Sequence, residues 1–294
     1  MSDSSQPVPM LRDDMPFSRR RILQLIGGAG LITVVGCASN STSSSGAAST
    51  AATSSASTGT ATSGTATSGS ASSSAATTAT TAAAATDVEK IPEETAGPYP
   101  GDGSNGLNVL TQNGVVRSDI RSSFGSASGV AAGVPTTIKF TVLDTSNGSA
   151  PLVGAAVYVW HCDREGRYSG YSQGVTNENY LRGVQETDAS GVATFTSVYP
   201  ACYSGRWPHV HFEVYPSLAE ATKAGTKLAT SQIALTEDVS DTVYATEGYS
   251  QSVRNMTQVS LSTDMVFRDG AELETPTVTG SVSDGYVVSL KVGV

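Results

Sequence analysis

Thr136-Thr137-Ile138-Lys139-Phe140-Thr141-Val142-Leu143, followed by Asp144-Thr145-Ser146-Asn147-Gly148, is the stretch that decides the fold. Its first part is rich in β-branched and aromatic residues, which suit a pleated, half-buried surface. The second part is turn-forming punctuation. The same pairing recurs around Ala156-Val157-Tyr158-Val159-Trp160-His161, Gly191-Val192-Ala193-Thr194-Phe195, His209-Val210-His211-Phe212-Glu213-Val214 and Gly285-Tyr286-Val287-Val288-Ser289-Leu290-Lys291-Val292. Short strands separated by Gly, Asn, Asp and Ser clusters predict an all-β domain, an antiparallel β-sandwich with long loops and little helix. The helix-like stretches are Ser217 to Ala224 and a turn at Ser240 to Ala245, both short. No parallel α/β unit and no internal repeat is suggested.

Upstream of the strands the composition changes twice. Residues 1–36 hold Ser18-Arg19-Arg20-Arg21-Ile22-Leu23-Gln24 and then an apolar run from Leu25 to Gly36, a charged region and a hydrophobic region too short to span stably. That is the pattern of a signal peptide. The paired arginines resemble a twin-arginine export signal, with Ile22 and Gln24 standing where Phe and Lys are common. Val34-Val35-Gly36-Cys37 resembles a bacterial lipobox, whose cysteine carries a lipid anchor. From Ala38 to Thr86 every residue except Asn40 is Ser, Thr, Ala or Gly. Such a chain has no large apolar side chain to bury, so it cannot offset its ordering entropy and reads as a flexible tether. The expected organisation is therefore a signal peptide (1–36), an anchor cysteine with its linker (37–86) and one β-sandwich domain (87–294). The expected location is outside the cell membrane, with contact to the membrane only through the lipid.

The 294-residue chain carries a formal charge of -9. Its isoelectric point is near 4.8. With no basic patch in the β-rich part, a nucleic-acid partner is excluded, because phosphate neutralisation needs clustered Lys and Arg. Of the three cysteines, Cys162 and Cys202 fall in the domain. They are read either as one disulfide in an oxidising compartment or as two small buried hydrophobes.

The chemistry-bearing residues fall in two segments. Tyr203-Ser204-Gly205-Arg206-Trp207-Pro208-His209-Val210-His211 leads into a strand, where residues i and i+2 share a face roughly 6.5 to 7 Å apart. His209 and His211 can thus converge on one metal, and the whole chain has only three histidines. Trp160-His161-Cys162-Asp163-Arg164-Glu165-Gly166-Arg167-Tyr168-Ser169-Gly170-Tyr171 is a strand end running into a loop with two tyrosines, a place where sites are built. His161 belongs to the strand and is read as structural. Taken alone, His-x-His suits zinc, iron or no metal at all.

These segments, together with Gly97-Pro98-Tyr99, occur in the order seen in intradiol ring-cleavage dioxygenases, the family of catechol and protocatechuate enzymes. The resemblance spans about Ile91 to Val214, and Tyr203-x-x-Arg206-x-x-His209-x-His211 is its specific part. Glu94-Thr95-Ala96-Gly97-Pro98-Tyr99 is similar to the family's Glu-Gly-Pro-Tyr segment with altered spacing. Among family members, exported ones with Trp-His-Cys-Asp ahead of the first tyrosine are the most similar.

The resemblance implies that Tyr168, Tyr203, His209 and His211 bind Fe(3+), and that Arg206 faces a small catechol substrate which reacts with O2. Tyr168 is preferred to Tyr171 because Gly166-Arg167-Tyr168 aligns with the family's Gly-x-Tyr. Tyr203 is preferred to Tyr199 for its short approach to Arg206. Phenolate oxygen and imidazole suit a hard trivalent ion. The implied product is a cis,cis-muconate-type diacid containing both oxygen atoms, with Tyr203 as the ligand that departs and takes a substrate proton. Two other readings stand beside this one: a non-catalytic surface-displayed β-sandwich binding module, and a zinc hydrolase on His209 and His211.

Overall fold

A computed structural model describes residues 87–294, so the predicted signal peptide and linker lie outside the described residues. The strands are β1 (Pro135–Asp144), β2 (Ala150–Pro151), β3 (Ala156–Trp160), β4 (Arg182–Glu186), β5 (Val192–Val198), β6 (His209–Tyr215), β7 (Ala229–Ala234), β8 (Thr277–Ser281) and β9 (Gly285–Gly293). The α-helices are short: α1 (Leu218–Ala221), α2 (Glu237–Tyr244) and α3 (Ser250–Met256). Among the described residues no helix is long and apolar enough to cross a membrane.

Two sheets form. One has the order β2-β1-β9-β8, with β5 also paired to β1, and the other has the order β4-β3-β6-β7. The first sheet is one-sided, as its sequence periodicity dictates. Thr136, Ile138, Phe140 and Val142 of β1 are buried, while Lys139 between them is exposed. Tyr286, Val288, Leu290 and Val292 of β9 follow the same rule. The buried face packs on Val157, Val159, Val210, Phe212 and Val214 of the second sheet to form the main core. Phe140 and Phe212 meet across it at 4.9 Å between ring centroids. Each such side chain removed from water contributes about 1.5–3 kcal/mol before ordering entropy is counted.

The second sheet differs, because every residue of β3, β6 and β7 is buried. Alternate residues face the first sheet, and the others lie under long loops. Ala156, Tyr158 and Trp160 join Val109, Leu110, Val115, Tyr168 and Ala201 in a second apolar cluster on that outer face. A sheet wrapped in loops gives a site rigid strands below and enclosing walls above.

The β-sandwich with little helix is as the sequence predicts, and each of the five quoted strand segments lies on a strand. One feature was not legible: β1 and β9 pair in parallel, Thr136 with Tyr286 through Leu143 with Gly293. All other strand pairs among the described residues are antiparallel. No hairpin joins β1 to β9, so their relative direction is not constrained by a turn. Predicted helix 217–224 is realised in α1, whose Ser217 Oγ accepts from the Glu220 amide at 3.2 Å. The turn expected at 240–245 belongs to α2, which starts earlier, with Glu237 and Asp238 at its positive end. Cys162 and Cys202 are both free and buried. Their thiols point at the carbonyls of Ala201 and Arg206, so the small-hydrophobe reading describes them.

Candidate metal centre

Strand register sets the floor of the site. Trp160 of β3 pairs with Arg182 of β4 on one side and with His211 of β6 on the other, and His211 pairs with Gln232 of β7. Residues opposite one another share a face, so Arg182, Trp160, His211 and Gln232 form one row across the outer face. Trp160 lies flat on His211, with centroids 4.9 Å apart and planes 5° from parallel, and Tyr158 backs Trp160 at 5.0 Å. This stack fixes the plane of the His211 imidazole.

His209, two residues earlier on the same face, is oriented by its own chain. Its Nδ1 lies 2.5 Å from the Trp207 carbonyl and donates to it. Nε2 is then left with a single in-plane lone pair and no proton. Around that atom stand Tyr168 Oη at 3.3 Å, Tyr203 Oη at 3.2 Å, His211 Nε2 at 3.1 Å and Arg206 Nη1 at 3.5 Å. One lone pair cannot serve four neighbours. The two phenol oxygens and two imidazole nitrogens therefore converge in a way that a shared cation satisfies better than mutual hydrogen bonds. Separations of about 3 Å between donors are what bond lengths near 2 Å to a common centre require.

Two loops deliver the tyrosines. After β3, Asp163 acts as a hub: Oδ1 accepts from the Glu165 and Arg167 amides at 3.0 and 2.9 Å, and Oδ2 from Arg167 Nε and Tyr180 Oη, both at 2.9 Å. Gly166 has φ +82°, and a Cβ there would meet Tyr203 Cβ at 3.1 Å. Glycine thus lets the Tyr168 loop press against the Tyr203 loop. The second loop is pinned from α3, where Ser252 Oγ accepts from the Cys202 amide at 3.1 Å and Asn255 Nδ2 donates to the Cys202 carbonyl at 2.8 Å. A third wall is Gly97, at φ +69°, where a Cβ would stand 3.3 Å from His211 Cε1.

Arg206 is not the surface residue that its charge suggests. Its Nε donates to Asp264 Oδ2 at 2.9 Å and its Nη2 to Gln232 Oε1 at 2.7 Å, leaving Nη1 toward His209. Asp264 is fully enclosed and also accepts from the Trp207, Val266 and Phe267 amides. Burial alone would raise its pKa. The Arg206 hydrogen bond and charge, with the Trp207 and Val266 amides, outweigh burial and hold the carboxyl below its ordinary value.

Burial dominates the titration of the four converging groups. It lowers His209 to about 3, with the Arg206 charge adding to the effect. His211 is pushed well below the usual histidine value by burial and then by His209 and Arg206. Both imidazoles are neutral, the form that binds metal. Burial raises Tyr203 to about 12, with partial relief from Arg206, and drives Tyr168 well above the ordinary phenol. These phenols ionise only when a cation is present to take the negative charge.

The rival residues are occupied elsewhere. Tyr171 Oη donates to Asn105 Oδ1 at 2.7 Å and accepts from the Gly101 amide at 2.9 Å. Tyr199 Oη meets Ser240 Oγ at 2.9 Å inside the main core. Both nitrogens of His161 have protein partners, Cys162 O at 2.8 Å and Ser197 Oγ at 2.7 Å. The structure thus brings together Tyr168, Tyr203, Arg206, His209 and His211. Asp163, Gln232, Asp264 and α3 were not singled out in the sequence. Among the described residues no cluster of three or more His, Cys, Asp or Glu side chains is placed to hold a metal, so the zinc-hydrolase reading lacks its third ligand.

Residues 120–211 match the sequence model of a family described as Dioxygenase, a span that includes all five converging residues. Among solved structures, an intradiol ring-cleavage dioxygenase from Tetranychus urticae is similar in fold, with TM-score 0.56 and 23% identity over 70% of this chain and 94% of that chain. A second solved dioxygenase gives TM-score 0.55 and 22% identity over 70% of this chain and 93% of that chain. No curated protein sequence matches the chain.

Proposed function

We propose that the chain is an exported member of the intradiol ring-cleavage dioxygenase family. In this reading Tyr168, Tyr203, His209 and His211 hold Fe(3+), and the enzyme uses O2 to open a catecholic ring between its hydroxyl-bearing carbons. The product is a cis,cis-muconate-type diacid that takes up both oxygen atoms. The single observation that carries this reading is the convergence of two tyrosine oxygens and two imidazole nitrogens on one buried point, with the dioxygenase family match over the same residues. Cys37 is proposed as the lipid anchor and residues 38–86 as the tether holding the domain outside the membrane.

The donor set fits a hard ferric ion, since phenolate oxygen and imidazole nitrogen favour it and no thiolate or thioether intrudes. When bound, the ion supplies the Lewis acidity that ionises a catechol and activates it toward O2. The chain's own residues divide the remaining work. Tyr168 is 1% exposed and wedged between Tyr99 and Tyr203, so it serves as the fixed anion. Tyr203 is less enclosed, and in this reading its Oη accepts a proton from an incoming catechol hydroxyl. Arg206, locked by Asp264 and Gln232, presents a fixed positive charge to the ring as it gains negative charge on carbon. Because the guanidinium is already in position, little reorganisation accompanies that charge development.

Paired substitutions test the reading. Tyr203→Phe shifts or bleaches the visible tyrosinate-to-iron band of the iron-loaded protein and lowers turnover with a simple catechol by about 100-fold or more. Tyr171→Phe leaves the band in place, because its hydroxyl bonds Asn105 and Gly101 instead. Equal effects of the two changes, or a wild-type protein that takes up no iron and shows no band, would contradict the reading. An iron-free protein that binds a glycan or a protein surface would support the binding-module alternative.

A further inference from the structure

Arg182 is 1% exposed, and among the described residues no carboxylate lies within ion-pair distance of it. A buried guanidinium is normally paired, because isolating a charge from water is costly. Here neutral oxygens take its N–H groups. Nε donates to the Ser169 carbonyl and hydroxyl, both at 3.2 Å. Nη1 donates to the Pro100 carbonyl at 2.9 Å and to Tyr158 Oη at 3.2 Å. Nη2 donates to the Tyr99 and Ser169 carbonyls, both at 2.9 Å.

Apart from Tyr158 Oη, which belongs to β3, those acceptors sit on two loops from distant parts of the chain. Ser169 follows Tyr168 directly. Tyr99 and Pro100 continue from Gly97, whose backbone faces His211. The rings of Tyr99 and Tyr168 meet at 4.9 Å, so whatever fixes one loop against the other fixes the Tyr168 ring. Arg182 is also in strand register with Trp160, which lies flat on His211. One side chain thus reaches the backbone beside one candidate ligand and belongs to the row that orients another.

We propose that Arg182 is a positioning residue for the metal centre, a planar fork that clamps the Tyr99–Pro100 and Tyr168–Ser169 segments together so that Tyr168 Oη is aimed at the metal. The proposal rests on the iron-binding reading above. The role needs the shape of arginine, since five N–H groups in one plane reach carbonyls on both loops at once. Lysine has three donors on one point and cannot span them. Gly101 completes the clamp, because a Cβ there would stand 2.9 Å from Arg182 Nη1.

The test compares Arg182→Lys and Arg182→Met with wild type and with Val288→Ala, a cavity variant in the opposite sheet. Four quantities are read: iron per chain, the maximum of the visible band, kcat and KM for a simple catechol, and amide hydrogen exchange of residues 97–101 and 168–172. Both Arg182 variants are expected to move the band maximum, to lose about 10–100-fold in iron affinity or kcat/KM, and to exchange faster in both segments together. Val288→Ala is expected to melt earlier with its band unmoved. If neither Arg182 variant folds, Gly101→Ala displaces the fork from the other side, and the same band shift is expected there. An unmoved band in variants of an iron-loaded protein, or full recovery by lysine, overturns the clamp. A wild-type protein without any iron band instead overturns the functional reading, and faster exchange in both segments still decides the clamp by itself.

Discussion

His209→Ala leaves a folded protein that no longer holds iron, has no visible band and retains less than about one hundredth of wild-type turnover. The reason is geometric. His209 Nε2 is the atom around which Tyr168 Oη, Tyr203 Oη and His211 Nε2 all stand, at 3.1 to 3.3 Å. Removing it takes away one donor and also the group about which the others are arranged. Partners that merely support a metal ligand commonly matter by 10–100-fold, so a ligand at the centre of the set matters more. His161→Gln is the contrasting case. His161 is equally buried and bonds Cys162 O and Ser197 Oγ, away from the converging atoms. Its loss lowers the melting temperature while iron and band persist. Metal analysis with a visible spectrum separates the two, and an iron-replete His209→Ala protein would place the metal elsewhere.

Asp264→Asn is expected to lower both stability and activity, because it leaves the Arg206 guanidinium buried without its counter-charge. Arg206 has a side chain only 10% exposed and Asp264 is fully enclosed. Breaking such a pair from one side costs about 3–5 kcal/mol. The catalytic loss follows from Arg206 losing the carboxylate that holds its Nε, so that Nη1 keeps its place beside His209 less firmly. Replacing Arg206 and Asp264 together by apolar residues of similar size is expected to recover most of the stability and none of the activity, since the charge proposed to face the ring is gone. The pH dependence has a definite sign. Asp264 has a folded pKa below its ordinary value, so the stability it contributes is fully present above the ordinary carboxylate pKa. It is lost as the pH falls through the depressed value. Urea unfolding at a series of acidic pH values shows that limb in wild type and a shallower one in Asp264→Asn. Identical limbs would mean that the pair is not formed in solution.

The strands that were legible in the sequence carry β-branched and aromatic residues in a row. β1 and β9 show this most plainly, with alternate residues buried. Those that were not legible lack that signature for specific reasons. β4 opens on Arg182-Gly183, and its burial comes from loops packed above it. β7 reads Ala-Thr-Ser-Gln-Ile-Ala, small and polar, yet every residue is buried because β6 and the strap of chain ending at Glu274 enclose it. β8 contains Gly280 and has no fully buried residue, so it is held by ladder bonds to β9 and by the partly buried Val278 against the core. The polar helix α3 has little local signal and stands because Ser252 and Asn255 grip Cys202.

The site divides in the same way. Tyr168, Tyr203, Arg206, His209 and His211 stand in recognisable local patterns. Their supports are far off in sequence: Asp264 lies 58 residues beyond Arg206, Gln232 lies 26 beyond it, and Arg182 holds a carbonyl 83 residues before it. Nothing local marks an aspartate in a Ser/Thr-rich loop or an arginine beside a glycine. Strand register and loop packing alone bring them to the side of the sheet where His209 and His211 stand.

In the proposed reaction a catecholic ring is opened at this centre with both atoms of O2 retained. The direct measurement is the mass of the ring-opened product formed from catechol by iron-loaded protein under 18O2. The expected product is a cis,cis-muconate-type diacid carrying two heavy oxygens. Unchanged catechol from iron-replete protein, or a product carrying no heavy oxygen, would contradict the claim.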